Sequence, residues 1–215
     1  NCLNKKIILT VFLLFINIQF SFSQDSNFDF KNKNVLIVYG GYPPHQPKKF
    51  AKKVEKWLVK NNAKVTLSGS TEIYANDKIM SKTDLIIQSV TMLDIKRNEL
   101  KGLSNAISNG TGLAGFHGGL GDSFRNSTEY QYIVGGQFVA HPGGHVSYDV
   151  NIIDKNDFIT KNINDFNLKT EQYYMHVDPN NKVLATTKFS GDNDYWIKNA
   201  IIPVIWKKQF GKGRV

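Results

Sequence analysis

Residues 112–125, Gly-Leu-Ala-Gly-Phe-His-Gly-Gly-Leu-Gly-Asp-Ser-Phe-Arg, read as a strand that turns sharply into a helix. Small apolar residues from Gly112 to Phe116 suit a buried strand. The glycines after it permit positive φ and close backbone approach. His117 then sits at the turn, where related α/β topologies expose a nucleophile. A strand of this kind needs parallel neighbours. Upstream, Asn34 to Tyr39 (NVLIVY) is a β-branched run ending in Gly40-Gly41. From Pro47 to Asn61, Phe50, Val54, Trp57 and Leu58 recur at helical spacing, with lysines opposite. Ala63–Leu67 and Asp84–Val90 read as further strands, and Glu99–Ser108 as a second amphipathic helix. The order strand, helix, strand, strand, helix, strand predicts an α/β fold with a mostly parallel sheet covered on both faces.

The remainder is richer in β-structure and loops. Val146–Ile153, Leu168–Val177 and Val183–Thr187 are each expected as one strand. Ile201–Trp206 and the Gly211-Lys212-Gly213 turn are expected as the first arm of a hairpin whose partner begins at Arg214-Val215. Nothing marks an internal repeat or a linker, so the mature chain is expected to be one domain.

The first two dozen residues read as an address. Lys5 and Lys6 precede twelve mostly apolar residues, Ile7–Ile18, and Ser21-Phe22-Ser23 offers a small-x-small cleavage pattern before Gln24. Twelve helical residues rise only about 18 Å, short of a hydrocarbon core of about 30 Å. The expectation is a signal peptide over 1–23, a secreted or periplasmic protein, and no stable membrane insertion after cleavage. The chain has 27 Lys+Arg against 18 Asp+Glu, a net charge of +9. Lysines 48, 49, 52, 53, 56 and 60 lie along the first helix, and a solvated face accounts for them; no reading-helix motif points to nucleic acid. The single cysteine, Cys2, lies in the address segment. The folded part therefore has no disulfide scaffold, Cys-ligated zinc or cysteine nucleophile.

Ligands of open α/β sheets bind beyond the carboxyl ends of the strands. Two loops there combine glycine with histidine: Gly40-Gly41-Tyr42-Pro43-Pro44-His45, and His117-Gly118-Gly119 running on to Arg125. Neither matches G-x-G-x-x-G in the required frame or carries a Walker lysine, which argues against nucleotide. Ser123 is expected inside the helix after His117, which argues against a serine nucleophile. His141 lies in a third Gly/Pro-rich loop, and Thr170–His176 adds Glu171, Tyr173 and His176. At least two of His45, His117, His141 and His176 are expected to line one pocket. Strand alternation puts Glu171 and Tyr173 on one face and His176 on the other. Histidine and glutamate suit acid–base work near neutral pH. No spacing resembles H-E-x-x-H, so no metal is assigned; clustered histidines with a glutamate leave a divalent metal such as zinc open. Aromatic residues beside polar groups suit a sugar, and Tyr42, Phe124, Tyr173, Tyr174 and Trp196 are available.

At these loops the sequence resembles the ThuA-like (trehalose utilisation) family, a branch of the class I glutamine-amidotransferase-like superfamily. The matching stretches are GGYPPHQP (40–47), GLAGFHGGLGDSFRNSTEYQYIVGGQFVAHPGG (112–144), TEQYYMHVDPNNKVLATT (170–187) and IPVIWKKQFGKGRV (202–215). The resemblance implies a flavodoxin-like three-layer sandwich that has lost the amidotransferase nucleophile. It implies a domain over 24–215, C-terminally truncated, since the family pattern continues past GKGRV to a Gly-His pair; further domains could follow. It implies breakdown of trehalose, other disaccharides or 3-keto sugars by a hydrolase-like enzyme. On that reading His117 and Glu171 are the catalytic candidates. Gly40, Gly41, His45, Gly118, Gly119, Arg125, His141, Tyr173 and His176 are candidates for contacting a small carbohydrate. The alternative is a non-catalytic carbohydrate-binding accessory domain.

Overall fold

A computed structural model describes residues 29–215. The expected signal segment, 1–23, lies outside the described residues. The chain runs β1 (Asn34–Gly41), α1 (Pro47–Lys60), β2 (Lys64–Ser68), the one-turn α2 (Asp77–Met80), β3 (Leu85–Thr91), α3 (Arg97–Ser108) and β4 (Gly112–Gly115). The four strands form a parallel sheet in the order β2-β1-β3-β4. This is the α/β architecture expected from the alternation of patterns.

Each face of this sheet has its own core. Alternate residues of β1 point to opposite sides. Val35 and Ile37 pack with Ala51 and Leu58 of α1. Leu36 and Val38 pack with Tyr74, Ile86, Leu103 and Ile107, on the side of α3. The α1 stripe buries Ala51 and Leu58 and leaves its lysines outside. Its Asn61 closes the last turn by donating from Nδ2 to the Trp57 carbonyl at 2.8 Å.

After β4 come α4 (Gly118–Gly121) and α5 (Thr128–Val134), then β5 (Gly136–Ala140). The helix expected to contain Ser123 is a single turn that stops before it. Ser123 is instead buried, its hydroxyl donating to carbonyls such as that of Val90 at 2.6 Å. Helix α5 is set by Ser127, whose Oγ accepts from the Tyr130 amide, and ends at Gly135 in the left-handed conformation.

The later strands are β6 (His145–Ile152), β7 (Phe166–Glu171), β8 (Tyr174–Val177), β9 (Lys182–Lys188), β10 (Ile201–Lys207), β11 (Gln209–Phe210) and β12 (Gly213–Arg214). An antiparallel sheet has the order β10-β9-β6-β7, and β5 pairs with β8 separately. Two expectations are corrected here. Leu168–Val177 is not one strand: it breaks at Gln172-Tyr173, and its parts join different sheets. Gln172 is buried and donates to Thr187 Oγ1 at 2.8 Å, which turns the chain out of the β6–β7 ladder. Ile201–Trp206 is not a hairpin arm either. It pairs with β9, and the hairpin is the short β11–β12 pair.

Candidate functional site

The carboxyl ends of β1, β3 and β4 supply one wall of the site. In register, Gly41 of β1 stands beside Thr91 of β3. Gly41 has φ +79°, and a Cβ there would lie 1.8 Å from the Thr91 carbonyl oxygen. Only glycine fits this approach, and it starts the loop that carries His45 back over the strand ends. His45 is fixed by its ring Nδ1, 3.1 Å from Thr91 Oγ1. Gly40 lies one position earlier on the same strand.

Strand β4 turns at His117, which has φ 52° and ψ −145°. A non-glycine residue in this region is strained, and the turn is that of a nucleophile elbow. Gly118 lets the two histidines meet, since a Cβ there would lie 2.7 Å from the His45 ring. The His45 and His117 ring centroids are 5.1 Å apart. Gly119, buried in α4, packs against Ser89 of β3.

A buried polar network holds the elbow from beneath. Gln88 is fully buried and donates from Nε2 to Tyr130 Oη at 2.6 Å and to Ser123 Oγ at 2.9 Å. Its Oε1 accepts from the Tyr74 hydroxyl at 2.8 Å. Tyr130 in turn donates to the Leu120 carbonyl of α4 at 2.9 Å. Burial holds the Tyr74 and Tyr130 phenols well above the ordinary tyrosine value, so both remain hydrogen-bond donors.

The opposite wall comes from the antiparallel half. Tyr148 donates to the Glu171 carbonyl at 3.2 Å, and Gln172 is anchored inward, so Glu171 and Tyr173 project to the same side. Glu171 Oε2 is 3.0 Å from His117 Nε2, and its Oε1 is 3.7 Å from His141 Nε2. The Tyr173 hydroxyl pairs with His117 Nδ1 at 3.2 Å. Both nitrogens of His117 are therefore engaged. A bulge between Phe138 and Ala140 bends β5 ahead of His141, whose ring stacks 6.2 Å from that of Tyr173. The His117 and Glu171 side chains are 30% and 20% exposed, so the cluster is open to a ligand yet partly desolvated.

Electrostatics follow from this arrangement. Burial pushes the His117 imidazole below its ordinary value; the Glu171 carboxylate opposes the shift, and His45 and His141 add to it. The net balance favours the neutral ring. Burial, with the charges of Glu171 and Asp122, pushes the Tyr173 phenol well above its ordinary value and keeps its proton on.

The structure brings together His45, His117, His141, Glu171 and Tyr173, with Gly40, Gly41, Gly118 and Gly119 shaping the backbone. Arg125 lies one layer behind. Its guanidinium pairs with Asp122 and stands over the Phe138 ring, 5.1 Å from the centroid, and that ring packs on Tyr173. His176 is not brought in: it is exposed on β8, its ring 6.3 Å from that of Tyr174, while neighbouring Met175 is buried near Gly121. Sequence reading missed Thr91 and Gln88. Thr91 carried a usable signal, since it follows directly on the third expected strand.

Comparison with known proteins gives the fold and the family. The ThuA-like protein of Bacteroides uniformis superposes with a TM-score of 0.68 at 16% identity, covering 86% of this chain and 80% of that one. The ThuA-like protein of Parabacteroides merdae gives 0.66 at 15% identity, covering 85% and 76%. A glutamine amidotransferase of Thermotoga maritima gives 0.50 at 10% identity, covering 85% and 74%. At such identities the likeness is one of fold. No curated protein sequence matches the chain. The model of one family, ThuA, described as trehalose utilisation, matches residues 34–215. Its match spans both walls of the site, from the strand that leads to His45 to the segment bearing Glu171 and Tyr173, and the chain belongs to the ThuA family, whose role is carbohydrate-related.

Proposed function

We propose that this protein is an exported enzyme of carbohydrate breakdown, acting on a disaccharide such as trehalose or on its 3-keto derivative by acid–base chemistry. The carrying observation is the convergence of His117, Glu171, His45, His141 and Tyr173, from four separate segments, at the carboxyl end of the parallel sheet. A neutral imidazole, a carboxylate and a protonated phenol in contact form a path along which a proton can move. The open side, with aromatic Tyr42 and Tyr173 beside polar groups, suits a sugar, whose CH faces stack on rings while its hydroxyls take hydrogen bonds. Export rests on the pattern of residues 1–23 and is checked by the N-terminus of the mature protein, expected at Gln24.

Turnover of trehalose and 3-keto-disaccharides, followed by product chromatography, tests the reading. His117→Ala is expected to lower turnover by about 10²-fold or more. Unchanged turnover in that variant removes His117 from the reaction. A second reading is a carbohydrate-binding domain without chemistry, favoured by the exposed Tyr195–Trp196 pair, whose rings lie 4.3 Å apart. Saturable sugar binding with no product at any protein concentration would select it.

A further inference from the structure

We propose that His45, His117 and Glu171 form a three-ligand site for a divalent transition metal of the zinc class, with His141 available as a fourth ligand. The inference uses the pocket assigned above to sugar chemistry and gives it a cofactor.

One donor atom from each of His45, His117 and Glu171 lies within 4.8 Å of the others. Donors around a tetrahedral zinc stand about 3.4 Å apart at ordinary bond lengths. No donor pair is therefore more than about 1.4 Å wider than that spacing, a difference that side-chain torsion spans, and the His117–Glu171 pair, at 3.0 Å, is already inside it.

The outer partners are those of a metal site. Ligating histidines commonly use one nitrogen for the ion and tie the other to a fixed group that sets tautomer and ring direction. Here His45 Nδ1 is tied to Thr91 Oγ1, and His117 Nδ1 to the Tyr173 hydroxyl. Nε2 is then the nitrogen of each ring not tied in this way, and the Nε2 of His117 lies 3.0 Å from Glu171 Oε2. A proton shared by that pair occupies the space a cation would take. The second carboxylate oxygen, Oε1, faces His141 Nε2 at 3.7 Å, which places a further imidazole beside the three.

The donor set also selects the metal class. Two imidazoles and one carboxylate form the three-ligand pattern of catalytic zinc, with a position left open. Magnesium and calcium favour all-oxygen shells, which this cluster lacks. The elbow strain at His117 and the glycine contact at Gly118 bring both rings to the same point before any ligand arrives. When bound, such an ion supplies positive charge to a sugar hydroxyl or carbonyl oxygen. His141 and Tyr173 are then the groups left to exchange protons with a ligand.

The test uses the full chain, stripped with a chelator, and isothermal titration with zinc chloride in the absence of sugar. The expected result is one zinc per chain, with magnesium chloride giving no saturable heat. Glu171→Gln and His45→Ala should each weaken zinc binding by tenfold or more. Thr91→Val, which removes only an outer partner, should weaken it by about 10–100-fold. His176→Ala should leave it unaltered. Thermal unfolding of each metal-free variant shows that it folds, and Thr91→Val keeps the test alive if a ligand variant does not. Absence of saturable zinc uptake overturns the proposal, as does uptake that Glu171→Gln and Thr91→Val leave unchanged. Sugar turnover that persists in the chelator-treated, zinc-indifferent protein overturns the metal and keeps the enzyme. Stoichiometric zinc with no product from any sugar keeps the metal and overturns the enzyme.

Discussion

The two walls of the site are held by different physics. The wall from the parallel sheet rests on a buried neutral network, Tyr74–Gln88–Tyr130–Ser123, and on Gly41, Gly118 and Gly119, whose Cβ positions are filled by neighbouring backbone or by the His45 ring. The wall from the antiparallel half rests on partly exposed strands and ion pairs. There Asp157 receives Lys207 Nζ at 2.5 Å and Lys182 Nζ at 2.9 Å, joining the loop after β6 to β9 and β10. The first wall should therefore be stiff and intolerant of substitution, the second softer and sensitive to pH.

The largest effect expected from this contrast is in the first wall. Gly41→Ala places a methyl on the Thr91 carbonyl at a left-handed φ and should cost about 3 kcal/mol or more, read by denaturant unfolding. A smaller loss would mean that β1 and β3 separate more easily than the network implies. Next, Gln88→Leu keeps the volume but leaves the Tyr74 hydroxyl and its neighbours without their partner, at about 2–3 kcal/mol. Should it prove neutral, the elbow is held by packing alone.

The second wall is tested by acid. The Lys207 ammonium, with Lys182, holds the Asp157 carboxyl well below its ordinary value. A depressed carboxylate stabilises the fold above the unfolded value of about 3.9 and loses that contribution as pH falls toward the folded one. Asp157→Asn should therefore lower stability at pH 7 and flatten the acid limb of the stability curve below about pH 4. An unchanged limb would show that this clasp is screened. The smallest stability effect belongs to Glu171→Gln, expected within about 0.5 kcal/mol because the side chain is partly exposed. The same variant should reduce turnover by about 10²-fold. In the wild type, turnover that needs a neutral His117 should fall on its acid limb only below the ordinary histidine value, since burial depresses that group. A limb above pH 6.5 would contradict the environment described.

Most of the first half was legible because each element there is patterned by its own burial. The central β1 and the start of β3 make buried apolar runs, and α1 and α3 make single stripes, whereas the outer strands β2 and β4 are partly exposed and Phe116, expected in a buried strand, lies exposed beyond β4. The second half was read less well for a definite reason. Gln172 and Tyr173 belong to a locally alternating run, and only the buried hydrogen bond of Gln172 to Thr187 breaks it. That partner lies 15 residues away, so no local pattern reports it. The one-turn α4 and the two-residue β11 and β12 are likewise too short to leave a periodic trace.

By itself the sequence determined the α/β class, the glycine turns after β1 and β4, and the kinds of side chain held at the strand ends, because backbone freedom and apolar period are local properties. Tertiary structure alone decided that Glu171 and His141 close on His117; strand alternation had already set His176 on the face opposite Glu171. Which groups meet depends on a bulge, a buried amide and strands from two sheets, and those are set by packing between segments far apart in the chain.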